Sequence, residues 1–154
     1  MEQEIAQIAR DQHGVVTRRQ LLSAGITPGE VKQRLRTGAL LREHRGVYRV
    51  GHRAPSVEAR YLAAVLAGGN GALLSGRAAG HLLDLLPGSA PAPEVTAPVK
   101  RRIAGTRTRR SRRPDPLDAT TCRGIPVTSV ARTLADLAGV LAAGDLASGV
   151  SRKC

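Results

Sequence analysis

Residues 17–50 decide the fold of the N-terminal region, and they read TRRQLLSAGITPGEVKQRLRTGALLREHRGVYRV. The stretch contains two helix starts, TRRQ at 17–20 and TPGE at 27–30, in which a threonine hydroxyl and a Gln or Glu three residues later can cap the helix reciprocally. Pro28 suits the first helical position, where a proline loses no hydrogen bond. Gly25 can take the positive φ of the intervening turn. The spacing predicts a helix-turn-helix.

The second predicted helix runs from Pro28 to about Thr37 and ends before Gly38. At 100° per residue, Val31 and Leu35 lie on the side that faces the core. The opposite side, which we call the recognition face, carries Gly29, Gln33, Arg36 and Thr37, with Lys32 beside them. Because Arg can pair with guanine and Gln with adenine through two hydrogen bonds each, this face suits the major groove of DNA.

Two short extended runs follow at 39–42 and 47–50, and residues 43–46 (EHRG) join them. This pattern predicts a β-hairpin, the wing of a winged helix. We expect the arginines of the wing, and those that open the first helix of the pair, to contact DNA phosphates: Arg18, Arg19, Arg42, Arg45 and Arg49. A winged helix that docks a protein and binds no nucleic acid fits the same pattern.

Basic charge is concentrated in two parts of the sequence. The 154 residues carry a formal net charge of +12, from 24 Lys and Arg against 12 Asp and Glu. Residues 1–53 have ten basic and five acidic side chains, residues 100–113 have eight and none, and the rest of the chain has six and seven. Such a distribution indicates an anionic partner. With two Tyr and no Phe or Trp, single-strand binding by base stacking is disfavoured.

Residues 100–113, the basic segment, read KRRIAGTRTRRSRR. Eight cations without an acid repel one another, so a folded chain that keeps them together usually meets an anion. The alternation at 107–109 puts Arg107 and Arg109 on one face of a strand, and we expect these two and Arg110 to contact DNA phosphates regardless of base sequence. The alternative is an exposed loop that merely tolerates the charge.

The order of elements predicts a mixed α/β (α+β) fold with two domains. We expect a winged helix-turn-helix at 1–53, a small α+β domain at 56–143 and a disordered tail at 144–154. Beyond the winged helix, the pattern predicts helices that start after Ser56, Ser75 and Ser129, the second of them ending near Leu86, paired strands at 94–99 and 106–111, and a hairpin at 120–128 that turns at Arg123 and Gly124.

No pattern typical of catalysis is present in the sequence. GGNG at 68–71 lacks the Lys and Ser or Thr of a phosphate-binding loop, and the histidines and cysteines do not have metal-ligand spacing. The acids that a nuclease would cluster are scattered along the chain: Asp84, Glu94, Asp115 and Asp118. We therefore expect no enzyme, metal or cofactor. Without a signal peptide or a long apolar run, we expect a cytoplasmic protein.

Five motifs carry a resemblance to a known family: HGVVTR at 13–18, LLR at 40–42, RGVY at 45–48, LSGRAA at 74–79 and GIPVTSVARTLADL at 124–137. With them, residues 1 to about 142 resemble the AbiEi-type antitoxins of type IV toxin–antitoxin (abortive infection) pairs. The resemblance implies a winged-helix repressor of its own operon that binds double-stranded operator DNA at an inverted repeat, as a monomer or weak dimer. It also implies a second domain involved in antitoxicity, and a nucleotidyltransferase toxin that is not held in a stable complex. The alternative is an RNA-binding or nuclease-associated module that uses the basic segment.

Overall fold

The computed structural model describes residues 1–51, 53–113 and 115–140. The helices within these ranges are α1 (Glu2–Asp11), α2 (Arg18–Ser23), α3 (Pro28–Thr37), α4 (Val57–Ala67), α5 (Gly76–Leu82) and α6 (Val130–Ala138). The strands are β1 (Val15–Thr17), β2 (Leu40–His44), β3 (Val47–Val50), β4 (Leu73–Leu74), β5 (Glu94–Ala97), β6 (Arg107–Arg110), β7 (Ala119–Cys122) and β8 (Ile125–Thr128). The predicted mixed α/β class is confirmed. The tail expected at 144–154 lies outside the described residues.

Both predicted capping boxes are present in the helix-turn-helix. At the start of α3, Glu30 N donates to the Thr27 hydroxyl (3.2 Å) and Thr27 N donates to the Glu30 carboxylate (2.7 Å). At the start of α2, Gln20 N donates to the Thr17 hydroxyl (3.1 Å) and Thr17 N to the Gln20 side chain (2.9 Å). Gly38 ends α3 with a φ of 80°. Local sequence therefore fixes both ends of α3.

A three-stranded antiparallel sheet in the order β1-β3-β2 completes the winged helix. β1 is not among the strands predicted above; it pairs with β3, with Val16 opposite Tyr48. The wing also differs from the prediction, because β2 continues through His44 and leaves only Arg45 and Gly46 in the turn. A bulge after Arg42 absorbs the change of register.

The second sheet has five strands in the order β6-β5-β4-β8-β7. Its β7–β8 hairpin turns at Arg123 and Gly124, as predicted, and both residues have positive φ (51° and 76°), which is typical of a type I′ turn. The predicted pairing of β5 with β6 is confirmed and is parallel, so residues 98–106 return the chain to the starting end of the sheet. β4 also pairs in parallel with β8.

The helix after Ser75 is shorter than predicted. It ends at Leu82, not near Leu86, and Asp84 follows with a φ of 56°. Ser75 stands at the N-cap without capping through its side chain, because its hydroxyl instead accepts a hydrogen bond from the Thr96 hydroxyl (2.8 Å). The Ser75 hydroxyl, which the local sequence predicts to cap the helix, is thus hydrogen-bonded to a neighbouring strand.

α4 lies between the two sheets, and the Ser56 hydroxyl caps it as predicted. One side of the helix, with Ala59 and Ala63, forms a buried cluster with Val15 and Val47 of the N-terminal sheet. At 100° per residue, the opposite side points to the five-stranded sheet and contributes to the main core. The members of that core on this side include Tyr61, Leu62 and Val65 from α4 and Leu74, Val95 and Val127 from the strands.

Polar contacts add a second connection between the winged helix and the five-stranded sheet. His13 Nε2 donates to the backbone carbonyl of Arg123 in the β7–β8 turn (2.7 Å). The guanidinium of Arg123 pairs with Glu58 at the start of α4 (2.7 Å). A backbone hydrogen bond, followed by the contact with Arg123, holds the pKa of Glu58 below its usual range. In the part of the chain described here, no helix is long and apolar enough to cross a bilayer.

Replacing Thr27 by Ala should lower the free energy of unfolding by about 1 kcal/mol, because α3 loses its N-terminal cap. Chemical denaturation measures this change. Thr27→Ser keeps the hydroxyl and is the matched control. Equal destabilisation by both substitutions would show that the methyl group, rather than the cap, matters.

Burial raises the pKa of Tyr61 to about 12, and its hydroxyl donates to the Pro91 carbonyl (2.8 Å). The unfolded phenol ionises near pH 10, so ionisation favours unfolding as the pH rises from about 10 to about 12. Below pH 10, Tyr61→Phe should lower the free energy of unfolding by about 1 kcal/mol, because the hydrogen bond to Pro91 is lost.

Above pH 10, the difference in the free energy of unfolding between the wild type and Tyr61→Phe should shrink, because only the wild type has a Tyr61 phenol that ionises on unfolding. Denaturation at pH 8, 10 and 11.5 compares the two proteins. Because the other basic groups are common to both, their difference isolates Tyr61. A difference that stays constant over this range would contradict the raised pKa.

Candidate nucleic-acid interface

α3 exposes the side that the sequence predicts for the recognition face. Val31 is buried in the core and Leu35 is half-buried against it. The residues of the recognition face are exposed: Gly29, Lys32, Gln33, Arg36 and Thr37. The pattern of burial along α3 therefore follows the helical periodicity and leaves two cations, an amide and a hydroxyl directed to solvent.

The remaining charged residues of α3 are occupied within the protein. Arg34 pairs with Glu2, which ties α3 to α1, and this hydrogen bond lowers the pKa of Glu2. Hydrogen bonds from Thr27, led by its backbone N–H, lower the pKa of Glu30 and turn that carboxylate back toward the helix start. The recognition face consequently carries the charges of Lys32 and Arg36 without an acid.

The first turn of α2 lies next to the turn of the wing. The backbone N–H of Arg18 donates to the carbonyl of Gly46 (2.8 Å), one residue after Arg45. Arg18 is half-buried, whereas Arg19 and Arg45 are exposed. The fold therefore brings together cations that are 27 residues apart in the sequence and that were predicted separately as phosphate contacts.

The two arginines on the strands of the wing differ in their surroundings. Arg42 is exposed on β2. Arg49 pairs with Glu43 across the hairpin (Nε–Oε1 2.7 Å), donates to the carbonyl of Arg53, and has a side chain that is only 14% exposed. Arg49 is thus used within the wing, whereas Arg42, on the opposite face of the hairpin, is open to solvent.

One interaction in the helix-turn-helix was missed from the sequence. The Gln12 and Gln20 amides exchange two hydrogen bonds (2.8 and 3.1 Å), and Gln12 also donates to the carbonyl of Val15 (2.8 Å). This pair orients the Gln20 side chain that caps α2 through Thr17. No local pattern signals it, because the two glutamines are eight residues apart and lie on different elements.

The second group of predicted contacts lines a cleft of about 460 Å³ on the five-stranded sheet, which we call the sheet cleft. Arg107 and Arg109 of β6 lie beside Glu94 and Thr96 of β5, as their register requires. Arg110 also contributes to the lining. The three residues predicted from the basic segment are therefore together, along with arginines from other elements: Arg77, Arg113 and Arg132.

Not every cation of the basic segment is available for a ligand. Arg101 lies over Gly69 and donates to the carbonyl of Ala67 at the end of α4 (3.5 Å). A cation at this position complements the negative end of the helix dipole. Counting charges along the sequence could not separate this residue from its neighbours.

Acids that are scattered in the sequence meet in the same cleft. Glu94, Asp115 and Asp118 line it with Asp136, whereas Asp84 does not contribute to the lining. Within the described ranges, no three His, Cys, Asp or Glu side chains are grouped so that they could hold a metal ion. The acids are interspersed with arginines.

The recognition face and the sheet cleft lie at opposite ends of the layered fold. α3 packs on the N-terminal sheet from the side opposite α4, and the cleft lies on the face of the five-stranded sheet opposite α4. With layers about 10 Å apart, the separation is on the order of 30 Å.

Comparison with known proteins agrees with the resemblance found in the sequence. Residues 3–51 match the family described as transcriptional regulator, AbiEi antitoxin. This range covers α1 through the last strand of the wing. No curated protein matches the chain.

Proposed function

We propose that this protein is a DNA-binding transcriptional repressor that reads its operator with α3. The observation that supports this most directly is the exposed, acid-free recognition face, in a region that matches a family of transcriptional regulators. Residues 1–53 are the DNA-binding domain in this proposal. Protein-docking surfaces are enriched in aromatic residues and Met and depleted of Lys, whereas the recognition face has a Lys and neither an aromatic residue nor a Met.

Base reading is assigned to Gln33 and Arg36, which can each form two hydrogen bonds to a base edge in the major groove. Lys32 and Thr37 flank them. Phosphate binding is assigned to cations around the turn of the wing and the start of α2, namely the half-buried Arg18 and the exposed Arg19, Arg42 and Arg45. Arg49 has a supporting part, because its charge is paired with Glu43 and its side chain stabilises the wing.

The family match also suggests the regulatory setting. We propose that one copy of the protein binds each half of an inverted repeat and that the bound copies repress the operon that encodes the protein. On DNA the two copies would be separate monomers or a weak dimer. The α+β domain at 56–143 would be the part of the protein that counteracts the toxin. The protein would act in the cytoplasm. A nucleotidyltransferase toxin would be linked to it functionally without a stable complex.

Replacing Arg36 by Ala should weaken binding to the operator by about 1–3 kcal/mol and relax base preference at one position. The operator is obtained by selection from random duplexes, and affinities are measured by fluorescence anisotropy on selected and random DNA. Arg19→Ala is the matched comparison, since loss of a phosphate contact weakens both DNAs equally and lowers the salt slope by about 0.9.

Equal losses on operator and random DNA for Arg36→Ala would remove Arg36 from base reading. The same outcome for Gln33→Ala would remove α3 from the recognition of sequence altogether. The wild-type protein binding selected and random duplexes with the same affinity would overturn the proposal of a sequence-specific repressor.

We also propose that the protein has no catalytic activity of its own, in keeping with the regulatory description of the matched family. Incubation with labelled DNA, RNA and nucleoside triphosphates in the presence of Mg²⁺ or Mn²⁺ should give no turnover. An activity that co-purifies with the protein and disappears when Glu94, Asp115 or Asp118 is changed to Ala would contradict this.

A further inference from the structure

We propose that the sheet cleft binds the phosphate groups of a nucleotide-sized ligand, at a site separate from the recognition face. The ligand class is a nucleoside phosphate, recognised by arginines at the phosphates and by carboxylates at sugar or base donors. This inference does not depend on operator binding by α3, because it rests on different residues.

The arginines of the cleft are positioned by the sheet. β6 is an edge strand that pairs in parallel with β5, so Arg107 and Arg109 project from the same face as Glu94 and Thr96. Successive residues of a strand point to opposite faces, and this alternation brings both guanidinium groups to one side. Arg77 approaches the same cleft from α5.

Most of these cations have no acidic partner. Six arginines line the cleft, and among the described residues only Arg132 forms an ion pair, with Asp136. The others lie more than 4 Å from any carboxylate oxygen there. A guanidinium presents paired N–H donors that match a phosphate, so several unpaired guanidinium groups around one cleft favour a polyphosphate ligand.

Glu94 is the register partner of Arg107 but forms no ion pair with it, because its carboxylate is directed to the start of α5. A Cβ atom on Gly76 would lie 2.0 Å from Glu94 Oε2, so this carboxylate rests directly against the backbone at the start of α5. Gly76 has a φ of +60°, a conformation that favours glycine. Glu94 therefore occupies the α5 side of the cleft and leaves Arg107 and Arg109 on the other side to a ligand.

The shape and charge of the cleft favour a small ligand over a duplex. Its volume of about 460 Å³ falls in the range typical of small-molecule sites. Leu73 and Val140 add apolar surface, while Asp118 and Glu94 would repel a continuous phosphate backbone but accept hydrogen bonds from a ribose or a base. The phosphates of a DNA backbone could also bind these arginines. The experiment below distinguishes a nucleotide from DNA as the ligand.

The experiment is calorimetric titration of the full chain with GTP, ATP and inorganic triphosphate, alongside DNA binding to a random duplex at several salt concentrations. At least one nucleotide should bind the wild-type protein. The double variant Arg107→Gln with Arg109→Gln should weaken that binding at least tenfold, and Arg77→Gln, from another element, should weaken it as well. The salt slope for the duplex should not change.

Arg60→Gln is the control, because Arg60 is exposed on α4 and lies outside the cleft, so it should bind nucleotide like the wild type. Thermal melting verifies that each variant is folded. The proposal fails if no nucleotide binds, or if nucleotide affinity is the same in the wild type and both cleft variants. It also fails if the double variant lowers the salt slope for the duplex by about 1.8, which would assign the two arginines to the DNA backbone.

Discussion

The burial of α4 between two sheets is the constraint on which the rest of the structure depends. Its alanine side, with Ala59 and Ala63, is small enough for the N-terminal sheet to approach closely, while Tyr61 and Leu62 fill the core on the other side. Burying a large apolar side chain contributes about 1.5–3 kcal/mol, so a helix buried on both sides contributes to two cores at once. The hydrogen bond from Tyr61 to Pro91 satisfies the polar atom that this arrangement buries.

Because α4 is shared, the winged helix and the five-stranded sheet hold a defined relative position. Two polar contacts, from His13 to Arg123 and from Arg123 to Glu58, connect the residues after α1, the β7–β8 turn and the start of α4. Apolar packing supplies the area of contact, and these directional contacts fix its orientation. The recognition face and the sheet cleft therefore point away from each other, which permits a ligand on one without blocking the other.

The sequence predicted best what is encoded within four residues. The capping boxes at Thr17 and Thr27, the face of α3 and the turn at Arg123 each depend on local geometry, and each is present. The shorter α5, the strand β1 and the gathering of acids and arginines in the sheet cleft depend on partners far along the chain, as the hydroxyl of Ser75 illustrates. Long-range pairing of this kind has no short-range signature, so helix starts were predicted and the cleft was not.

The distribution of arginine roles shows how one residue type serves both stability and recognition here. Arg34, Arg49 and Arg123 pair with carboxylates and join elements, and Arg101 lies at the end of α4. These four arginines are occupied within the protein and are not available to a ligand. The cations that are still available therefore lie in a few places only. The remaining cations are concentrated on the recognition face with its wing and in the sheet cleft, where five of the six arginines form no ion pair with the described residues. Since such clusters oppose folding, a bound anion at either place would stabilise the folded state as well as fill a site.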